Sequence, residues 1–507
     1  MQQKENRKPY RPQKIKKLLV ANRGEIAVRV MRTCKELGIK TVAVFSEADR
    51  SALHVQVADE AYFIGAAPSK ESYLVEEKIL EVAIQAGANA IHPGYGFLSE
   101  NAAFSEACKR EKIIFVGPSA DAIRAMGDKT TARAMMEQAG IPMAPGTTEA
   151  IDDVKRAAEI AKEIGYPVLI KAAAGGGGKG MRLVEDPADF EHAMEMAQRE
   201  ADSAFGDGRV FLEKYIVQPR HIEFQVLADE HGNCIHLFER ECSVQRRHQK
   251  VIEEAPSSIL TQAVRDAMGK AAVDAAKACN YSNAGTVEFL VDKDLDFYFM
   301  EMNTRLQVEH PVTELITGLD LVEEQLRVAE GEVLSLTQDT VKIQGHAVEC
   351  RVYAEDPENN FLPSPGKLIV HRPPSGPGVR LDAGVEEDGE VPIHYDPMIS
   401  KLITYAATRE AAIFKMGRAL AEYEVAGVKT TIPFCAFVMG HEAFIKGNIS
   451  THFVADHFTP ETLSVASEGE QLAAAIAAAW HVHHSKNQDG PVEIMPSTSA
   501  WRKRKRF

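Results

Sequence analysis

Apolar residues in this chain recur at two spacings, and the alternation between them gives the first expectation about its architecture. Residues 15–21 form a short apolar run. In residues 25–37 the apolar positions are 26, 27, 30, 31, 34 and 37, the spacing of one helix face. Gly38 follows, and glycine accepts the left-handed conformation that closes a helix. Residues 41–45 read as a strand again, so the segment is a strand–helix–strand unit. The rhythm continues with strands over 62–64, 88–92 and 113–116 and helices near 73–86 and 100–110. It predicts a doubly wound parallel sheet. The first strand-to-helix turn, Ala21-Asn-Arg-Gly-Glu25, lacks the G-x-G-x-x-G of dinucleotide-binding turns, so no dinucleotide is assigned to it.

Further along, helical spacing marks 120–126 and 129–139, and Gly140-Ile-Pro142 ends the second. A helix near 152–164 leads to a strand over 167–172, a run of glycines and a strand-like segment at 181–184. Strands are expected over 210–216, 221–227, 234–239, 285–291 and 297–301, with helices over 261–279 and 319–330. From His346 the texture changes to strands over 346–354, 367–371, 379–382 and 399–406 and a helix over 410–423, which reads as a separate α+β segment. Past about 453 the organisation weakens: Ser467-x-x-Glu470 forms a capping box before an alanine-rich helix over 473–484, and 488–502 reads as loop. No internal repeat is present.

Composition narrows the class. A chain of 507 residues has room for about three domains. Hydrophobic residues make up 45% of it, enough for ordinary cores, and no stretch reaches the roughly 18 apolar residues of a membrane helix. A net charge of −15 argues against non-specific nucleic-acid binding by the body of the protein. The ends differ: residues 1–17 hold Lys4, Arg7, Lys8, Arg11, Lys14, Lys16 and Lys17 against Glu5, and Trp501-Arg-Lys-Arg-Lys-Arg-Phe507 is equally basic. Solvated, disordered tails are the expected reading. Seven cysteines, with no C-x-x-C pair, suit a reducing cytosol rather than a disulfide framework or zinc site. There is no apolar signal-peptide core near the start, so a cytoplasmic protein is expected.

Candidate chemistry concentrates in a few stretches. Gly175-Gly-Gly-Gly178-Lys179-Gly180 formally contains G-x-G-x-x-G, but a strand follows where a dinucleotide fold needs a helix. It is no P-loop either, because Gly180 rather than Ser or Thr follows Lys179. Strand, glycine loop, strand is a flexible hairpin whose bare amides can fold over a triphosphate. Residues 213–216, Glu-Lys-Tyr-Ile, end a strand and can present backbone groups to an adenine edge. Arg240, Arg246, Arg247, His248 and Lys250 form a cationic cluster that reads either as an anion site or as a solvated charged loop.

Glu288 stands among apolar neighbours, costly if buried unpaired, and a metal removes that cost. Strand 297–301 can pair back on it and bring Glu301 alongside; hard carboxylate oxygens beside an amide suit Mg2+. Glu301, Asn303, Arg305, Gln307 and Glu309 stand two apart, so an extended backbone sends all five from one face. Such a face is a poor core but a good lining for metal and phosphate together. Arg351, on an alternating strand, reads by itself as a surface or ion-paired arginine.

Together these stretches resemble the biotin carboxylase family, the ATP-grasp component of biotin-dependent carboxylases, over about 15–452. The match is carried by Ala21-Asn-Arg-Gly-Glu-Ile-Ala27, His92-Pro-Gly-Tyr-Gly-Phe-Leu-Ser-Glu-Asn101, the glycine loop, and residues 239–256, 301–314 and 349–357. The resemblance implies a multidomain α/β and α+β fold. A basic extension (1–14) precedes a Rossmann-like domain (15–127), and an ATP-grasp domain (128–335) carries a mobile glycine-rich lid at about 143–216. An α+β C-terminal domain (336–452) and an extension (453–507) follow. It implies an enzyme that activates bicarbonate with ATP as carboxyphosphate and carboxylates N1′ of biotin, with acetyl-CoA carboxylase the expected parent enzyme.

By the same resemblance, Lys129, Lys171, Gly177, Gly178, His221 and His248 match positions that contact ATP, with Glu213, Lys214, Tyr215 and Ile216 around adenine. Glu288 and Glu301 belong to the ATP set too, and with Asn303 match the positions that hold Mg2+ or Mn2+. Lys250, Arg305, Gln307, Val308 and Glu309 match the bicarbonate pocket, and Arg351 the arginine near the biotin ring oxygen. The catalytic set is Lys250, Arg305, Glu309 and Arg351. Chemistry agrees with these roles: a carboxylate among cations stays ionised and can act as base, and an arginine forks to an anion as lysine cannot. Ala174 departs from a common family glycine and Lys179 from an arginine found in some members, which touches lid mobility only. No Met-Lys-Met biotin-acceptor motif is present, so a separate biotin carboxyl carrier protein, a carboxyltransferase and a homodimer are expected, with no membrane or nucleic-acid partner.

Overall fold

The computed structural model describes residues 13–147, 149–173, 181–463, 472 and 476–480. The glycine loop with Ala174, Gly177, Gly178 and Lys179, most of the basic ends and the capping box at Ser467 lie outside the described residues. The first sheet is the doubly wound one expected. Its five parallel strands run in the order Glu60–Gly65, Lys40–Ser46, Lys17–Val20, Ala90–His92, Ile114–Phe115. Leu18 and Val20 pack with helix Gly24–Glu36, while Leu19 packs with Glu76–Ala86 and Ala102–Arg110 on the other face. Both faces are covered, which is why these strands are continuously apolar. Gly38 takes φ +72°, the left-handed turn expected after the first helix. The order of strands reverses beside Lys17–Val20, so the loops that leave Val20 and His92 open a crevice there.

A smaller antiparallel sheet joins Arg182–Val184, Val168–Ala172 and Val210–Lys214. Helices Val154–Ile164 and Phe190–Phe205 cover it. The second helix is additional to the elements expected from the sequence. Its buried Phe190, Met194, Ala197 and Ala201 fall at helical spacing, diluted by charged residues between them.

The largest sheet has eight antiparallel strands. Their order is Phe297–Asn303, Asn283–Val291, Arg220–Ala228, Cys234–Arg246, Gln249–Ala255, His346–Tyr353, Met398–Ala406, Val379–Ala383. It bears on two readings of the sequence. Residues 239–254 are no loop: they form a hairpin that turns at Arg247 and His248, with φ +49° and +66°, as a two-residue hairpin turn requires. Nor do His346–Tyr353, Met398–Ala406 and Val379–Ala383 form a sheet of their own, although the strand near 367–371 pairs only in two-stranded sheets with Glu390–Val391 and Glu424–Ala426. His346–Tyr353 pairs with Gln249–Ala255, so the sheet runs on without a break. Local sequence cannot display a pairing between segments so far apart. The stretch from 301 to 309 is extended only as far as Asn303; the chain then bends through Thr304 and Arg305 and turns into helix His310–Thr317.

Of residues 461–507, the described positions 472 and 476–480 are helical, within or beside the helix expected there. Among the described residues no helix is long and apolar enough to cross a membrane.

Candidate active site

Every strand of the eight-stranded sheet carries an ionisable side chain toward its middle. Across four neighbouring strands Glu301 lies opposite Glu288, Glu288 opposite Glu223, and Glu223 opposite Arg240. The next strand brings Lys250 and Glu253; Glu253 lies opposite Glu349, and Arg351 opposite Lys401, which itself faces Asp382. Cross-strand partners share a face. The expected juxtaposition of Glu288 and Glu301 is therefore present, as one rung of a ladder beside a cavity of about 1860 Å3.

Lys250 is the hub. Its ammonium lies 2.5 Å from Glu223, 2.9 Å from Glu288 and 2.7 Å from Glu309. Behind it Arg240, fully buried, spends its guanidinium on Glu223 (2.5 Å), Gln225 (2.8 Å), Thr313 (2.9 Å) and Thr286 (3.0 Å). Burial disfavours every charge here, and pairing decides which survive. It pushes the Glu309 carboxyl up, but Lys250, Arg351 and Arg240 override it and hold Glu309 well below the ordinary carboxylate range. Glu288 is likewise lowered against burial by Lys250 and His221. Lys250 is raised, its three carboxylates outweighing burial.

Glu288 Oε1 also accepts from Asn303 Nδ2 (2.8 Å) and Gln307 Nε2 (2.9 Å), and Oε2 is 3.0 Å from His221 Nε2. Glu301 differs. It opens to the cavity and makes no hydrogen bond or ion pair to a described residue, and burial plus the neighbouring Glu288 raise its carboxyl. Two hard-oxygen carboxylates on one rung, one of them lacking a cation, with an amide beside them, fit Mg2+ or Mn2+.

Arg305 spans the bend after the strand. It donates to Glu100 (2.9 Å), Asn303 Oδ1 (2.9 Å), Gln307 Oε1 (3.3 Å) and the Leu306 carbonyl (3.3 Å). The bend thus folds Asn303, Arg305 and Gln307 onto one another, where an extended strand would have spaced them in a row. The Val308 carbonyl accepts from Lys401 (2.8 Å). Glu309 precedes helix His310–Thr317 and sits behind the cavity wall, fully buried, between Lys250 and Arg351 Nη2 (2.9 Å). Arg351 is buried and ion-paired, and it lines the cavity rather than the outer surface.

Two motifs left without a structural reason by the sequence acquire one. The Asn22 amide donates to the carbonyls of Pro93 and Tyr95, both at 2.7 Å, and staples the loop after His92 into the crevice. Gly94 sits at φ +64°, and a Cβ there would lie 2.8 Å from Asn22 Nδ2. The staple presents Tyr95, whose hydroxyl meets Glu25, at the cavity.

At the far end, Lys129, Lys171, Tyr215, Ile216, His221 and His248 line the same cavity. Lys171 pairs with Glu213, which also holds Arg133 (2.7 Å). The Lys214 ammonium donates to the carbonyls of Gly165 and Tyr166, both at 2.8 Å, so its side chain serves the small sheet. Tyr215 meets His452 at 3.1 Å, and Thr451 and His452 close this end.

Three family models cover nearly all of this architecture: the N-terminal domain of biotin carboxylase (14–123), the ATP-binding domain of the carbamoyl-phosphate synthase L chain (128–337) and the C-terminal domain of biotin carboxylase (349–456). The biotin carboxylase of Nostoc sp. is 54% identical over 443 residues, 87% of this chain and 99% of that one. The chain belongs to the biotin carboxylase family. A pyruvate carboxylase subunit from Methanothermobacter thermautotrophicus is 58% identical over 441 residues, 87% of this chain and 90% of that protein. Among solved structures, the biotin carboxylase domain dimer of Hydrogenobacter thermophilus 2-oxoglutarate carboxylase, in complex with MgADP, ADP and bicarbonate, superposes with TM-score 0.85 at 48% identity, covering 90% of this chain and all of that one. The protein is thus a biotin carboxylase of the ATP-grasp ligase class.

Several charged or polar residues packed behind the cavity wall escape a motif reading: Glu223, Gln225, Glu253, Glu349 and Lys401. For Glu223 and Gln225 a signal existed. His221-Ile-Glu-Phe-Gln-Val226 alternates polar and apolar residues on a central strand, which needs polar partners on one face.

Proposed function

We propose that this cavity holds Mg–ATP, bicarbonate and carrier-borne biotin together and performs the first half-reaction of a biotin-dependent carboxylase. Bicarbonate attacks the γ-phosphorus of ATP to give carboxyphosphate and ADP, and the carboxyl group then passes to N1′ of biotin with release of phosphate. Bound at Glu288, Glu301 and Asn303, Mg2+ or Mn2+ supplies charge neutralisation for the transferring phosphoryl group. Lys129, Lys171, His221 and His248, with Gly177 and Gly178, serve the phosphates, and residues 213–216 the adenine. Arg305, Lys250, Gln307 and the Val308 N–H hold bicarbonate.

The observation that carries this reading is the Glu309 carboxylate, clasped between Lys250 at 2.7 Å and Arg351 at 2.9 Å. A carboxylate offers about four lone-pair sites, so two remain for a bicarbonate proton. Arg351 lines the cavity and offers its remaining N–H edge to the biotin ureido oxygen. There it stabilises the enolate form left as the N1′ proton passes to the departing phosphate, and the ureido nitrogen becomes nucleophilic. The purified protein is expected to hydrolyse ATP only with bicarbonate, faster with free biotin, and to lose both in Arg305→Ala. A folded protein whose ATP turnover ignores bicarbonate sinks the proposal.

Biotin on a separate carrier protein, a carboxyltransferase partner and a homodimer complete the reading, supported by near full-length coverage of the Nostoc enzyme and by the dimeric Hydrogenobacter domain. Acetyl-CoA is the acceptor we assign. Pyruvate is a second reading, favoured by 58% identity with the Methanothermobacter protein. Co-purification with the biotinylated partner, and identification of the transferase that comes with it, decides between them.

A further inference from the structure

We infer that Glu253 and Glu349 form a proton-sharing acid pair that positions Arg351, with Glu349 held as the neutral member. The inference rests on the assignment of Arg351 to the biotin step. Glu253 and Glu349 lie opposite each other on adjacent strands, and both are fully buried. Glu253 Oε1 takes Nε and Nη2 of Arg351, both at 2.6 Å, while Nη2 also reaches Glu309 at 2.9 Å. The guanidinium is thereby gripped along one edge. Among the described residues Nη1 meets only the Tyr353 hydroxyl, at 3.4 Å, and both residues line the cavity. That is the edge left for a substrate oxygen.

The other side of the grip is unusual. Glu253 Oε2 and both oxygens of Glu349 have no hydrogen-bond partner among the described residues. Three buried carboxyl oxygens on one rung without a donor are untenable if both groups are ionised. One proton removes the conflict: a protonated Glu349 donates to Glu253 Oε2, and Glu253 faces Arg351 with a single negative charge. Among the described residues no neighbouring cation gives a hydrogen bond to these three oxygens, although the Lys401 charge opposes burial at Glu349. Lys401, on the next strand, gives its hydrogen bond to the Val308 carbonyl and lies 3.2 Å from Glu25 and 3.8 Å from Asp382. Arg351 is committed to Glu253 and Glu309, and Glu309 is itself an anion. Burial pushes Glu349 well up and Glu253 up to about 7, in the same sense. A doubly ionised pair would draw Arg351 away from the cavity; a singly charged one holds it without trapping it.

The test uses the full-length protein with free biotin. Glu349→Gln exchanges a neutral acid for a neutral donor and is expected to keep biotin-dependent turnover within about threefold. Glu253→Gln removes the charge that grips Arg351 and is expected to raise KM for biotin or lower kcat about tenfold or more, while ATP binding and the slow bicarbonate-dependent ATP turnover without biotin persist. Infrared difference spectra are expected to show a protonated-carboxyl stretch in the parent that is missing in Glu349→Gln and shifted in Glu349→Asp. The aspartate variant carries that readout if the glutamine variant does not fold. Loss of biotin turnover in Glu349→Gln as large as in Glu253→Gln, or no carboxyl band that follows Glu349, overturns the acid pair. Arg351→Ala separates the premises: if it leaves biotin-dependent turnover intact, the role of Arg351 fails even where the band is present.

Discussion

Replacing Glu309 with glutamine isolates the proposed base with little change in shape. Lys250 would keep Glu223 at 2.5 Å and Glu288 at 2.9 Å, and Arg351 would keep Glu253 at 2.6 Å. No buried cation is stranded, so the ~3–5 kcal/mol penalty of breaking a buried pair does not apply. The fold should lose on the order of 1–3 kcal/mol, the range of altered buried hydrogen bonds to charged groups. The chemistry should lose more. General base catalysis is worth about 10²–10⁴ in rate, which is about 3–5 kcal/mol of transition-state stabilisation. The assay is ADP release with and without bicarbonate, beside calorimetric binding of a non-hydrolysable ATP analogue with Mg2+. Bicarbonate-dependent turnover should fall by that factor while nucleotide affinity stays within about threefold. Glu301→Gln should show the opposite order, with weakened Mg–nucleotide binding first, because Glu301 opens to the cavity without an ion-pair partner among the described residues. Equal failure of both variants at nucleotide binding, or turnover of Glu309→Gln within about tenfold of the parent, would refute the division of the segment between metal and bicarbonate.

Arg240→Leu removes four hydrogen bonds from a fully buried guanidinium and leaves Glu223 with Lys250 and the more distant His221; a loss of about 3–5 kcal/mol is expected, read as a fall in the thermal midpoint, and an unchanged midpoint would contradict it. Gly94→Ala must place a Cβ 2.8 Å from the Asn22 amide at φ +64°, so the Tyr95 loop should shift and biotin-dependent turnover fall while nucleotide binding holds. His54 and His92 are lowered by burial from 6.5 to about 4. Their folded values lie below the unfolded one, so the unfolded chain binds more protons inside that window. Stability is therefore full above about pH 6.5 and falls as pH drops toward 4, by up to about 3 kcal/mol for each histidine. Urea midpoints that coincide at about pH 7 and about pH 5 would count against it.

The Rossmann-like half was legible because its strands are buried on both faces and its helices show one stripe; period and burial agree there. The hairpin over 239–254 was not. Glu239, Arg240, Glu241, Glu253 and Glu254 are all buried, so the polar texture that suggested a loop is the interior of a sheet. Hydrophobic alternation fails wherever both members of an ion pair sit inside. The Glu288–Glu301 rung was legible because a short hairpin fixes its register, whereas Glu253 opposite Glu349 joins strands almost a hundred residues apart and leaves no local trace. Arg351 could be named a site residue only through the family resemblance; on its own strand it looked like any paired arginine.

The ladder also explains why fold and site cannot be separated here. Glu301, Glu288, Glu223 and Arg240 are register partners across four strands, so the hydrogen bonds that align those strands set the side chains opposite one another. A slip of one residue in any of them would send its charge to the opposite face, against Phe224, Val287 and Phe289, and leave a partner unpaired. Burying so many charges is tolerable only in the native register, where Lys250 and Arg240 neutralise them. The electrostatic cost of a misaligned strand thus adds to the hydrophobic one, and both penalties select the alignment that places Lys250 within reach of Glu288 and Glu309 at once.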